Sequence, residues 1–444
     1  MSISGSEVKT ASIKASSRIR GMQRTALVML VISGLVNYVD RATLAVANPL
    51  IRKDLNLSVA QMGILLSCFL SAYAFSQLPV GALIDRFSPR IVLPLGICLW
   101  SAAQVMCGFV RNLGQFAVAR LLLGIGESPQ FPTAGRITRE WFNRRERGLA
   151  TATWNSTSAL GTAIAVPLLT FLIIGFGWRG MFVFMGVADL LMAAAFYLLY
   201  RNPGDLNLTA EEQAYLAEGE SPGQHQIAKI TLRDWIDLLK QNATLGMALT
   251  FFAMNYGLWI FNAWLPTYLE MEFHFTLVKT GIFGSIPFFI GFVGAFSTGF
   301  LCDFLVRRGV DPVRSRKVLM LTGMVGGACF MALTAIATTS TMALICVAGS
   351  MFLLNMTSTA TWAMVSVLVS ANRTASLGAM QNFGGYFGAA LAPMVTGFTV
   401  QATNSFQTAL WVGTAVIATG SALCFLCIRT PVANKAVNAA AADA

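Results

Sequence analysis

The chain has 444 residues, 55% of them hydrophobic and only 11% charged, with a mean hydropathy of +0.64. That balance excludes a soluble globular protein, which could not cover its surface with so few charges, and defines a polytopic membrane protein. The formal net charge of +11 calls for no nucleic-acid partner, because an anionic inner leaflet suffices to hold it.

A polar, basic stretch, 1–24, runs straight into the first full-length apolar span, so no cleavable signal peptide is expected. Windows of about 20 apolar residues cross a bilayer core. Such windows predict twelve spans, at roughly 25–48, 60–84, 91–110, 115–136, 148–174, 179–200, 244–270, 280–303, 318–337, 341–369, 375–401 and 407–429. Several exceed the minimum, which implies tilt or irregular ends. Prolines near the span ends, Pro129, Pro132, Pro266, Pro287 and Pro393, permit local bending. With the N-terminus inside, 24 of the 31 Lys and Arg residues fall in inner segments, five in outer segments and two, Arg41 and Arg120, within spans. This bias predicts that both termini are cytoplasmic.

The expected organisation is an N-terminal tail (1–24), a six-helix bundle (25–200), a polar cytoplasmic linker (201–243), a second six-helix bundle (244–429) and a C-terminal tail (430–444). Within the linker, "TLRDWIDLL" reads either as a short amphipathic surface helix with Leu232, Trp235, Ile236 and Leu239 on one side, or as a plain tether. A repeat supports the division. "GALIDRFSPR" (81–90) closes the second span and "GFLCDFLVRRG" (299–309) the eighth, with first glycines 218 positions apart. Gly81 and Gly299 suit close helix approach at the inner mouth, and Asp85, with Arg86 after it, and Asp303 can pair with neighbouring helix ends or loop arginines.

Metal, redox and other cofactor chemistry is not expected. The eight cysteines all lie in apolar stretches, the C-x-x-C of Cys424 and Cys427 has no companion, and the chain holds only two histidines, His225 and His274. A nucleotide-driven pump would need a G-x-x-x-x-G-K-[ST] loop and a soluble domain to carry it, neither of which occurs. An embedded enzyme would need a catalytic cluster that two histidines do not provide, so no enzymatic activity is expected. A channel would need rings of like residues from symmetric subunits.

The charges inside spans carry the chemistry. Asp40 and Arg41 are adjacent in the first span, where an unpartnered charge costs at least ~2.5 kcal/mol. Neighbouring helix residues point about 100° apart, so the two need other partners. Arg120 and Glu127 are two turns apart on one face of the fourth span, with Gly124 between them to allow close approach. At ~1.5 Å per residue Asp40 and Arg120 reach a similar depth, and Glu127 lies ~10 Å nearer the cytoplasm. Two acids and two bases are thus expected to converge on one half of a central cavity.

Twelve spans as six plus six, a central loop and G-x-L-x-D-R after the second span resemble the major facilitator superfamily. Within it, "YVDRATLAVA" (38–47), "RLLLGIGESPQFPTAGR" (120–136), "WFNRRERG" (141–148) and "WLPTYL" (264–269) resemble the anion:cation symporters, which include proton-coupled carriers of galactonate, glucarate, hexuronates and some aromatic acids. The resemblance implies an all-α fold and a monomeric inner-membrane importer of a small organic anion and a proton. A carboxyl group in an apolar site can carry a proton near neutral pH, and an arginine fork binds a carboxylate by two parallel hydrogen bonds. Asp40 and Glu127 are therefore assigned to proton coupling. Arg41 and Arg120 are assigned to the substrate carboxylate or to gating ion pairs, against the plainer reading that the quartet holds helices in register.

Tyr38 and Tyr73 either offer hydroxyls to the substrate or pack. In the second half Thr359, Thr361, Trp362 and Asn382 are uncharged candidates for reading hydroxyls or an uncharged tail. Where the galactonate carriers lead one to expect glutamine and a second amide, this chain has Phe251 and Ser158. Asn255, Tyr256 and Asn155 can compensate, or the pocket accepts an aromatic or shorter dicarboxylic acid. Asp189 in the sixth span, with no evident partner, is expected to be structural. A non-transporting sensor of the same build remains an alternative that flux alone separates.

Overall fold

The computed structural model describes residues 15–218, 240–368 and 374–428; the "TLRDWIDLL" segment and the side chain of Asp85 lie outside the described residues. Within them the chain is helical with no strand. The N-terminal half comprises α1 (Ser17–Leu55), α2 (Val59–Arg86), α3 (Pro89–Phe109), α4 (Leu113–Glu127), α5 (Gln130–Trp141), α6 (Arg147–Asn155) and α7 (Thr157–Leu199). A short α8 (Ala210–Leu216) follows. The second half holds α9 (Asn242–Phe273), α10 (Leu277–Phe283), α11 (Ile286–Arg307), α12 (Pro312–Ala335), α13 (Ser340–Leu368), α14 (Thr374–Thr403) and α15 (Phe406–Cys427). Ten segments among the described residues are long and apolar enough to cross a membrane.

The breaks between helices have local causes. Pro129 has no N–H to continue the ladder, and Ser128 bonds back to the carbonyl of Ile125 through its Oγ at 2.7 Å, so α4 stops at Glu127 and α5 begins at Gln130. Gly177, at φ 69° and ψ 172°, turns the chain inside α7 through a conformation that only glycine adopts readily. Pro287 opens α11 just after α10 has ended on Gly284. Helix α1 begins at Ser17, well inside the stretch expected to be a tail, because Ser16 caps it by accepting from the N–H of Ile19, and Ile19 itself is fully buried.

That early start is fastened by a polar cluster at the end of the bundle. Arg20 donates to Glu146 Oε1 at 2.7 Å, and Tyr215 of α8 and Gln23 donate to Glu146 Oε2 at 2.6 and 3.2 Å. Ser16 in turn donates to Glu212 of α8 at 2.6 Å. Burial alone would push Glu146 up, but the bonds from Tyr215, Arg20 and Gln23 outweigh it and hold the carboxyl below the usual glutamate range. A lowered carboxylate stabilises the fold above its unfolded-state value, and that stability is lost as pH falls through the lowered value. Glu146→Gln is therefore expected to lower the melting temperature at pH 7 and to make little difference once the pH lies below the wild-type carboxyl's lowered value; a pair of thermal-shift series across pH checks it.

The two halves meet at the end away from Ser17 and again at mid-span. Ala60 N donates to Gln401 Oε1 at 3.0 Å, and the Tyr386 hydroxyl donates to that of Tyr73 at 3.3 Å. A methyl group at Gly63 would sit 2.6 Å from the Pro393 carbonyl oxygen, and one at Gly397 would sit 3.1 Å from Gly63 Cα, so α2 and α14 touch backbone to backbone there. Gly81 and Gly299 were expected to mediate such an approach at the opposite end. Instead, nothing lies within 4 Å of a methyl placed on either, because at that end the helices stand apart. Gly63→Val overpacks the seam by ~1–3 kcal/mol, a shift of roughly 5- to 150-fold in the population of the closed seam. Spin labels on the α2 and α14 ends are expected to show the distance lengthen; an unchanged distance distribution would contradict the seam's role.

Candidate functional site

Glycine brings the charged helices together. A Cβ on Gly124 would run into the carbonyl of Phe69 in α2, and one on Gly126 would sit 2.6 Å from the backbone N of Trp100 in α3. α4 is thereby pressed against both neighbours, and its Arg120 and Glu127 face α1. Arg41 Nε donates to Glu127 Oε2 at 2.8 Å, with 5% and 0% of the two side chains exposed. The Arg41 guanidinium lies 4.6 Å from the ring centre of Tyr73 and 4.8 Å from that of Tyr38, with Phe69 at 5.5 Å and Phe131 at 6.0 Å. An aromatic box of this kind offsets part of the desolvation of a buried cation. Arg41 Nη2 and Glu127 Oε1 remain without hydrogen-bond partners.

Asp40 faces away from this pair. Gln104 Nε2 of α3 donates to Asp40 Oδ1 at 2.8 Å and lies 3.3 Å from Thr43 Oγ1. Arg120, 1% exposed, lies over Phe69 at 5.1 Å and is near both Asp40 and Glu127, yet its Nε and Nη1 have no partner among the described residues. Buried arginine N–H groups with no partner can donate to a carboxylate. Asn37 is fully buried beside Glu127. Sequence reasoning passed over Asn37 and Gln104. Asn37 lies one helical turn from Asp40 along α1 and Gln104 lies on α3, which faces it, and an amide at that depth is itself a signal.

Asp189 corrects the expectation made for it. It is not isolated: it is fully buried on α7 with the Asp40 carboxyl and the Trp100 indole as its polar neighbours. Helix α7 is held there by Ser101 Oγ, which donates to the Gly186 carbonyl at 2.5 Å. A span-to-span neighbour of this sort has no signature in local sequence.

The second-half candidates divide. Tyr73 reaches across to Tyr386, with ring centres 4.7 Å apart. Phe251 packs edge-on against Trp362 at 5.9 Å, and Trp362 is half exposed. Asn382 is partly buried on α14, and Tyr256 is buried beside Phe252. Thr361 is fully buried and spends its hydroxyl proton on Thr357 O at 2.7 Å. Thr359 and Asn255 also spend donors on carbonyls one turn back, at 3.3 and 3.0 Å, the usual resort of short polar side chains in an apolar helix. Ser158 donates to Asn155 O at 2.8 Å and lies beside Tyr38. At the α2 end Arg86 is exposed and stacks on Phe87 at 5.6 Å, and Asp303 is exposed with no ion pair to a described residue. Among the described residues Arg136 of α5 also holds the α2 end, donating to the Ile84 carbonyl and to that of Phe87 and pairing with Glu140 at 2.7 Å.

Long apolar helices around a buried ionic centre mark a polytopic membrane protein, and its family and relatives are transporters, not enzymes. Residues 30–393 match the Major Facilitator Superfamily, and the chain belongs to that family. It is 38% identical over 420 residues to the probable L-galactonate transporter of Escherichia coli (strain K12), covering 95% of this chain and 92% of that one. It is 30% identical to the hexuronate transporter of Bacillus subtilis (strain 168), covering 93% and 97%. Its fold is similar to the inward-facing, unoccupied crystal structure of a bacterial homolog of the human lysosomal transporter Spinster, with a TM-score of 0.79 at 16% identity over 94% and 98% of the two chains.

Removing one partner of a buried ion pair leaves the other charge uncompensated, at about 3–5 kcal/mol. Glu127→Leu and Arg41→Met are each expected to destabilise by that order. The double variant should lose much less than the sum, which a double-mutant cycle on detergent-solubilised protein measures; additive losses would show that the two side chains do not interact.

Proposed function

We propose that this protein imports a sugar acid, an aldonate, hexuronate or aldarate, together with a proton across the bacterial inner membrane. The observation that carries the reading is the buried centre of α1 and α4. It holds one arginine that is paired with Glu127, one, Arg120, whose Nε and Nη1 have no partner among the described residues, and a carboxyl group, Asp40, held from α3 by Gln104. The names of the related proteins, transporters of galactonate, hexuronate and galactarate or glucarate, supply the substrate class.

The mechanism follows from charge. With Asp40 ionised, Arg120 has an anion nearby and is not free. Protonation of Asp40 removes that attraction, and the Arg120 fork is then available to the substrate carboxylate, so proton and anion bind together. Glu127 works likewise on Arg41, which serves as substrate contact or gate, and Tyr38 and Tyr73 present their hydroxyls beside it. Asn255, Tyr256, Asn382 and Trp362 face the substrate from the second half, where their lack of charge leaves them to read hydroxyls or the uncharged part of the molecule.

The topology that goes with this reading has twelve crossings. The ten long apolar segments become twelve when α7 is divided at Gly177 and α4 with α5 is counted as one interrupted span. Residues 25–200 and 244–429 form the two bundles, 201–243 the linker, and both termini are cytoplasmic. The seam at Gly63 and Gly397 then closes the outer mouth, and the cavity opens inward. Rocking of the two bundles about this seam gives alternating access in a single monomeric chain.

The test is flux. Proteoliposomes holding the full chain are expected to accumulate radiolabelled galactonate or glucuronate only with an inward proton gradient, and to acidify their lumen as they do so. Asp40→Asn and Glu127→Gln should lose accumulation by at least about tenfold while still exchanging substrate across the membrane. Uptake indifferent to the gradient overturns symport, and binding without any flux would make the protein a sensor.

A further inference from the structure

One buried acid takes no part in the mechanism above. Asp189 is fully buried in the middle of the sixth span, and neither of its carboxylate oxygens accepts a well-formed hydrogen bond. Its immediate polar neighbours are the Asp40 carboxyl and the Trp100 indole. Asp40 accepts one bond, at Oδ1 from Gln104, and its Oδ2 has no donor. Two carboxyl groups thus face each other in an apolar interior with three unused acceptor oxygens between them.

The packing holds them there. Ser101 fixes α7 to α3 through the Gly186 carbonyl, and Gln104, one turn further along α3, holds Asp40. Besides these two neutral groups and Trp100, the charged and titratable side chains that face the pair are Arg120 and Glu127 of α4 and Cys107 of α3. Arg120 is the one cation among them, and it must also answer Glu127. Two adjacent buried anions facing a single shared cation repel; one proton removes the conflict. An O–H on either carboxyl donates to an oxygen of the other, which converts repulsion into a charge-assisted hydrogen bond and satisfies two of the orphaned oxygens at once.

We propose that Asp189 is the second member of a carboxyl pair with Asp40, and that the coupling proton resides between the two rather than on Asp40 alone. This deepens the symport reading and rests on it. On loading, a proton from cavity water bonds to a carboxylate oxygen of the pair, whose net charge passes from −2 to −1; on release the O–H breaks, the proton returns to water on the other side, and the charge reverts to −2. No ion pair joins Asp189 to an arginine among the described residues, so its part is to set the affinity and position of the proton, not to touch the anion. The pair titrates as a unit, with apparent values that belong to both members.

The experiment is a pH titration by infrared spectroscopy of the full-length protein in lipid, comparing wild type with Asp189→Asn through the carboxylic-acid carbonyl band. Replacing Asp189 by a neutral amide removes the repulsion and offers Asp40 a donor. Asp40 should then ionise at lower pH, by at least about one unit, a tenfold loss of proton affinity. Proton-driven galactonate accumulation should fall with it while galactonate exchange persists, its pH midpoint displaced to the acid side. An unmoved band with normal accumulation overturns the pair and leaves symport intact. A shifted band in a protein whose wild-type uptake ignores the gradient upholds the pair and overturns symport instead. Should Asp189→Asn not fold, Asp189→Glu keeps a carboxyl on a longer arm, and a band identical to wild type in that variant likewise refutes the shared proton.

Discussion

A guanidinium and a carboxylate taken out of water together, Arg41 and Glu127, set the terms for the rest of this structure. Isolated, either ion would cost several kcal/mol in the interior. Joined at 2.8 Å and boxed by Tyr38, Phe69, Tyr73 and Phe131, they can be tolerated, but only if α1, α2 and α4 meet at one place. Gly124 lets α4 close on α2 and Gly126 lets it close on α3, where any larger residue would hold the helices apart. The interruption at Pro129 follows from the same demand, since Glu127 is the last residue of α4 and the chain is free to turn immediately after it. Polar tuning and helix packing are here one constraint.

A second consequence concerns where motion is possible. The ionic groups and their amide partners, Gln104 and Asn37, all belong to α1, α3, α4 and the second part of α7, within one half of the molecule. Between the halves, the contacts are of another kind: the backbone approach at Gly63 and Gly397, the Gln401 amide oxygen accepting from Ala60 N, the two tyrosine hydroxyls and the Arg52 guanidinium on the Met271 thioether. No buried ion pair among the described residues crosses the seam. Opening it exposes small residues and tyrosine edges, whereas pulling apart Arg41 and Glu127 would strand two charges. The half that carries charge is therefore the stiffer partner to itself, and the seam is where a low-cost rearrangement can occur.

Much of this was legible in the sequence, and the rest was not for identifiable reasons. The long apolar helices and the meeting of Arg41 with Glu127, with Arg120 near Glu127 and Asp40, could be read because charge in a long apolar run is rare and its spacing along a helix fixes a face. The Asp40–Asp189 contact could not, since it joins the first and sixth spans and depends on how α3 packs between them. Gly81 and Gly299 misled for a related reason: a glycine permits close approach but does not say in which conformation the approach occurs. Thr361 misled because a hydroxyl in a span has an acceptor one turn back on its own helix, and sequence does not tell which it takes.

On the proposed reading, Glu127 is linked to Arg41 in the aromatic box, and Asp40 is linked to Asp189 behind α1, against α3. Arg120 lies near both acids and has unused donors. A single arginine placed so can be held by one anion at a time at full strength, because each N–H given to one is withheld from the other. The charge state of the Asp40 side then governs what Arg120 offers on the Glu127 side without any helix having to move. Proton binding and anion binding would be coupled through one side chain's choice of partner, and the movement of the two halves would follow from that choice rather than create it.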